Sequence, residues 1–193
     1  MLTTVPGMVR LDLQLIRMME DARSREKTAG IEVDARAMML GFSASGMFVN
    51  RFVFMHPEFV QADALGSPGG WRIAPVPVYH DQKLRYPIGV ADFDQVTGKP
   101  FDLAAVAKVP QMIFMGDQDS NDSVIYNDSD EDRDRITVFK LFGPTLMARW
   151  PTAIELYHQN LPLVEFKLYP GASHTFTKDM KTDVAAFFAK HAS

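Results

Sequence analysis

The sequence predicts an α/β protein with a mainly parallel sheet and helices on both faces. Three observations predict it. Four short apolar segments read as strands: residues 36–41, Val60–Leu65, Gln111–Met115 and Leu163–Leu168. In the first of them the apolar residues form a run rather than alternating, the pattern of a strand buried on both faces in a parallel sheet. Segments of helical periodicity lie between the strands, and strands that alternate with helices favour a parallel sheet. With 193 residues, 47% of them hydrophobic and 23% charged, the chain suits one domain, residues 1–193, with one sizeable core.

The elements follow in order. Residues 9–27 read as a helix. Leu11, Leu15, Met18, Met19 and Ala22 share one face, Asp21, Arg23, Arg25 and Glu26 lie on another, and Gly30 ends it. After the strand at 36–41, a helix spans roughly 45–55 and stops at Pro57. From Gly66 to about Lys99 the chain is rich in glycine, proline and aromatics and has no clear period. A segment of this length without regular structure is uncommon in a compact domain and often functional, so residues 66–100 are expected to form a substrate or lid loop. Residues 102–108 read as a short helix. The acidic stretch Asp128–Asp134 reads as a solvated loop running into a helix start. Residues 145–160 form a helix that Pro151 breaks or kinks, and residues 178–191 form a final amphipathic helix. Met8, Met18, Met19, Met38, Met39 and Met47 are expected as core filler.

Composition excludes several functions. The net charge is −4 and no basic patch dominates, which argues against nucleic acid as a partner. The absence of cysteine excludes disulfides, thiolate metal sites and a cysteine nucleophile. The start, MLTTVPGMVR, lacks the features of a signal peptide. No apolar run approaches the roughly 18–20 residues that span a bilayer. The chain as given is therefore expected to be cytoplasmic, with no membrane partner.

In open sheets of this class, sites form beyond the carboxyl ends of the strands. Three sequences stand there. Gly41-Phe42-Ser43-Ala44-Ser45-Gly46 follows the first strand. A nucleophile elbow needs small residues two before and two after its serine, where the backbone crowds. Around Ser43 these are Gly41 and Ser45. Around Ser45 one of them would be Met47, which is too large, so the pattern selects Ser43. Beyond the third strand lies Gly116-Asp117-Gln118-Asp119-Ser120-Asn121-Asp122, with three acids. Beyond the fourth lies Tyr169-Pro170-Gly171-Ala172-Ser173-His174-Thr175-Phe176. A neutral serine is a poor nucleophile. It needs a general base to take its proton, and the base's second nitrogen needs an acceptor that fixes the tautomer.

The order Ser, Asp, His, each past its own strand, resembles that of the α/β-hydrolase superfamily. The matching pieces are GFSASG, MGDQD and GASHTF, and the resemblance covers roughly residues 9–193. Within the superfamily, the elbow, SPGGW and GDQDSND look most like bacterial esterases related to polyhydroxybutyrate depolymerases and feruloyl esterases. The resemblance implies a serine hydrolase that cleaves carboxylic esters through an acyl-enzyme. Ser43 is the nucleophile and His174 the base. Asp119 is the acid by the family pattern G-x-x-D, with Asp117 and Asp122 as fallbacks. The Ala44 amide is implied as an oxyanion donor. Lids and substrate loops of the superfamily often enter between the second and third strands. There Trp71, Tyr79 and His80 are candidate substrate-lining residues, or pin the loop to the core. His56, His158 and His191 have structural readings. No pair of histidines has metal-ligand spacing, so no metal is expected, and no cofactor is implied.

The resemblance also implies strands before the elbow and a loop with a second oxyanion donor, and residues 1–40 match neither. An amino-terminally truncated α/β-hydrolase fold is the expectation. Its elbow strand would then present an open apolar edge, which an oligomer could cover. The expected partner is a small-molecule or polymeric ester. The competing expectation is a catalytically weak or inactive hydrolase-like domain that acts in binding, or a fragment.

Overall fold

A computed structural model describes residues 5, 6, 8–126 and 131–192. In chain order the helices are α1 (Leu11–Thr28), α2 (Ala44–Met55), α3 (Phe93–Thr97), α4 (Leu103–Val106), α5 (Ser123–Tyr126), α6 (Asp132–Phe142), α7 (Leu146–Asn160) and α8 (Lys178–His191). The strands are β1 (Ala37–Phe42), β2 (Val60–Gly66), β3 (Val78–Tyr79), β4 (Gln82–Lys83), β5 (Gln111–Gly116) and β6 (Val164–Tyr169). β1, β2, β5 and β6 form one sheet in the order β1-β2-β5-β6, with every pair parallel. β3 and β4 form a small antiparallel ribbon apart from it.

Both faces of the sheet are covered. On one, Val49, Phe52 and Val53 of α2 and Trp150 and Tyr157 of α7 pack with Leu65, Ile113 and Val164. On the other, Met180, Val184 and Phe187 of α8 pack on Ala62, Ala64, Met112 and Phe114. All of β2 and β5 is buried, as expected for central parallel strands. The parallel register brings the carboxyl ends of β1, β5 and β6 to one rim of the sheet, so the three loops singled out in the sequence share that rim.

Four expectations are corrected. The segment at 66–100 is largely packed rather than loose. Ala74, Leu84 and Ile88 form a third core cluster with Val138, Phe142 and Leu156, and the segment contains α3 and the β3–β4 ribbon. Its backbone is held by buried side chains from elsewhere. Tyr157 donates to the Ile73 carbonyl at 3.0 Å, and the Asn50 side chain accepts from the Ile73 amide at 3.1 Å. The acidic stretch is solvated only in part. Asp134 is buried in a bidentate pair with Arg85, both bonds 2.7 Å, while residues 128–130 lie outside the described residues. The inward face of α1 keeps the expected Leu15 and Met19 but adds the buried Asp12 and Ile16 and leaves Met18 and Ala22 exposed. Met18 is 66% exposed and Met8 52%, so neither fills the core. Met19 and Met39 do pack on the core. Pro151 is the sixth residue of an unbroken α7. It stands past the amides that lack an intrahelical partner, since Arg149 already donates to the Thr145 carbonyl, so the helix runs on with one i→i−4 bond missing.

Candidate active site

The turn from β1 into α2 places Ser43 in a backbone conformation that non-glycine residues avoid, φ 59° and ψ −126°. Such strain costs on the order of 1–3 kcal/mol and persists where surroundings enforce it. Here they do. The Ser43 amide donates to the Gly66 carbonyl at 2.8 Å, and its carbonyl accepts from the Met47 amide at 3.1 Å. A side chain at position 41 would land on the Ser45 carbonyl, so glycine is required there. Ser45 stands where the resembling family normally has glycine, and its hydroxyl laces the turn. It accepts from the Phe42 amide at 2.9 Å and donates to the Phe42 carbonyl at 2.7 Å. Ala44 is the first residue of α2 and exposed. Its amide is among the first four of the helix, which have no carbonyl partner inside it and carry the positive end of the helix dipole.

His174 connects this turn to the acid loop. Its Nε2 lies 2.9 Å from Ser43 Oγ, and its Nδ1 lies 2.9 and 3.1 Å from the two Asp119 carboxylate oxygens. Of the three acids considered, Asp119 is the one that reaches the imidazole. Asp117 accepts from the Gly171 amide at 2.8 Å and so braces the histidine loop. Asp122 is buried in an ion pair with Arg149 at 2.8 Å. Gly116 makes the meeting of the two loops feasible, because a Cβ there would strike the Ala172 carbonyl. The Asp119 side chain is almost fully buried, whereas that of His174 is 27% exposed. The ring is backed by Phe42 at 5.1 Å, which stacks in turn on Phe176. An ionised Asp119 accepts Nδ1–H, which leaves Nε2 as an acceptor for the serine proton.

The structure adds residues that the sequence reading missed. Asn121 donates its backbone N–H to Asp119 at 2.9 Å, and its side-chain amide reaches His174 Nε2 at 2.9 Å. Its signal was its place in the acid loop, two residues after Asp119. Arg149, fully buried in α7, donates to Asp122, to the Gly70 carbonyl and to the Gly143 carbonyl, and so ties the acid loop to the long segment. Trp71 stacks on Phe142 at 3.8 Å and donates its indole N–H to the Ile88 carbonyl at 2.9 Å. Tyr79 packs in the same cluster, and the exposed His80 stacks on it at 4.1 Å. Within the described residues none of these three is bonded to or stacked on Ser43, Asp119 or His174. Their contacts pin the long segment to α6.

A second histidine–aspartate pair lies elsewhere. His56, at the end of α2, meets Asp12 of α1 through Nε2 at 2.9 Å, and both are buried. Burial raises the Asp12 carboxyl, but hydrogen bonds from Arg10 and His56 outweigh it and hold the group at about 2. The other ring nitrogen of His56 faces Lys99 at 3.5 Å and Glu58 at 3.7 Å. Among the described residues, no group of three or more His, Asp or Glu side chains is placed to hold a metal ion, and no helix is long and apolar enough to cross a membrane.

Solved structures share this architecture. Poly(aspartic acid) hydrolase-1 from Sphingomonas sp. KT-1 matches with a TM-score of 0.56 at 21% identity, over 89% of this chain and 59% of that one. LpqC, a poly(3-hydroxybutyrate) depolymerase from Bordetella parapertussis, matches at 0.55 and 19%, over 92% and 58%. SOBER1 from Arabidopsis thaliana matches at 0.52 and 16%, over 93% and 64%. The chain thus spans about three fifths of the length of these proteins. No protein-family model matches the chain, and no curated protein matches its sequence. The likeness is one of architecture: the chain has an α/β-hydrolase-like fold, with Ser43, Asp119 and His174 converging at the carboxyl rim of its parallel sheet.

Proposed function

We propose that the chain is a serine hydrolase that cleaves carboxylic esters through an acyl-enzyme. The observation that carries this reading is the unbroken chain Ser43–His174–Asp119, built on a serine held at positive φ. Ser43 Oγ attacks the ester carbonyl while His174 Nε2 takes its proton. The tetrahedral oxyanion accepts from the Ala44 amide at the start of α2. His174 then protonates the departing alkoxide, leaving Ser43 acylated. Water, deprotonated by the same nitrogen, attacks the acyl group and releases the acid and free Ser43. Asp119 holds Nδ1–H throughout and stabilises the transient imidazolium. The neighbours named for poly(3-hydroxybutyrate) and poly(aspartic acid) support a polymeric substrate with carbonyl links along its backbone, and a hydroxyalkanoate ester is the preferred class.

The test is hydrolysis of short acyl esters and of hydroxybutyrate oligomers by the wild type and by Ser43→Ala. The reading expects turnover to fall by about 10⁴-fold or more in the variant. Equal turnover without Ser43 would overturn it. A second reading, a hydrolase-like domain that acts by binding, is favoured by the open flank of the sheet. There Leu40 of the edge strand β1 is 45% exposed, and Ile31 and Val33 in the segment leading to that strand are exposed as well. Binding of an ester oligomer by the wild type and Ser43→Ala alike, with turnover by neither, is the result that reading expects.

A further inference from the structure

We propose that Asn121 is a positioning residue that keeps Nε2 of His174 unprotonated between turnovers; this rests on the reading of Ser43, His174 and Asp119 as a triad. With Nδ1–H given to Asp119, the ring has a single in-plane lone pair, on Nε2. Two donors stand at 2.9 Å from it: the Ser43 hydroxyl and the Asn121 side-chain amide. The hydroxyl can give up its proton and the amide cannot. A hydrogen bond donated to the neutral form of a base disfavours its protonation. The amide therefore opposes the effect of Asp119, whose carboxylate favours the charged ring.

Asn121 is placed to act on both partners of the histidine. Its backbone fixes Asp119 and its side chain meets Nε2. The side chain is exposed, and within the described residues His174 is the one group its amide is bonded to. Among the described residues no other hydrogen bond holds the side chain, so it can swing aside when Nε2 takes the serine proton and turns to the leaving group. The charged groups around the ring are few. Asp119 bonds it directly. Asp117 braces the Gly171 amide of the histidine loop, and Asp122 is neutralised by Arg149. From α8, Lys181 lies over Phe176, which separates it from Phe42 and the ring.

The experiment is a ¹⁵N NMR titration of the His174 imidazole without substrate, in the wild type and in Asn121→Ala, Asn121→Asp and Asn121→Gln. It is paired with the pH profile of kcat/KM on a short ester. Asn121→Ala is expected to move the protonation midpoint of the ring up by about half a pH unit to one unit, the reach of one lost hydrogen bond. Asn121→Asp moves it further, because a second carboxylate faces the ring. Asn121→Gln stays nearer the wild type than Ala does. The acid limb of kcat/KM follows the same order. Midpoints in Ala and Asp that stay at the wild-type value overturn the proposal, whatever the turnover. The expected NMR order with no hydrolysis at any pH supports the role of Asn121 on the ring, and it is then the triad reading that fails.

Discussion

Two histidine–aspartate pairs in this molecule share their central contact and differ in everything around it. In both, a ring nitrogen lies 2.9 Å from a buried carboxylate. The Asp12–His56 pair is sealed. Its ring is buried between α1 and α2, Arg10 shares the carboxylate, and Lys99 and Glu58 face the remaining nitrogen. The Asp119–His174 pair is open on one side, and its second nitrogen faces a serine hydroxyl on a strained turn. A carboxylate behind an imidazole is thus equally a clamp for two helices or half of a proton relay. The second nitrogen decides which: with charged neighbours it is structural, and with a hydroxyl it can do chemistry.

The largest expected effect separates the pairs by function. His174→Ala should reduce ester turnover by about 10⁴-fold or more, beyond any stability lost where Asp119 gives up its buried partner. His56→Ala should lower stability by about 3 kcal/mol because Asp12 loses a buried partner, with turnover per folded molecule retained. Denaturant unfolding and steady-state kinetics on both variants check this. Equal losses of turnover would erase the distinction.

A smaller effect tests the clamp through pH. The folded value of Asp12, about 2, lies below its ordinary value of 3.8, so the unfolded chain binds its proton first as pH falls. The stability that Asp12 supplies is therefore complete above about pH 4 and is lost as pH drops toward 2. The difference in unfolding free energy between the wild type and Asp12→Asn should be constant from neutral pH to about 4 and close below it. A gap that persists at pH 2 would mean that shape rather than charge holds the clamp. The smallest effect concerns the serine turn. Ser45→Ala removes two hydrogen bonds to Phe42 and should cost about 1 kcal/mol, while Ser45→Gly also frees the backbone.

The rim of the sheet was legible in the sequence because its signals are local. The small residues around Ser43, the acid loop and the histidine loop each occupy a few consecutive positions, and strand burial sets where they meet. What escaped depends on partners distant in the chain. Residues 66–100 look unstructured alone, since Tyr157 and Arg149 hold them from about 80 positions away. Asp12 was not read as part of the inward face of α1, because its carboxylate is buried against His56, 44 residues on. Asp134 is buried for a similar reason, through Arg85. Ser45 looked like a tolerated departure from glycine, and only the folded turn shows its hydroxyl bonded to Phe42.

The central claim is that the open pair activates Ser43. Treating the folded protein with a fluorophosphonate probe and locating the adduct by mass spectrometry tests it directly. The account predicts one adduct, on Ser43, abolished in His174→Ala and retained in folded His56→Ala. Folded wild-type protein that carries no adduct, or carries it on another residue, would contradict the account.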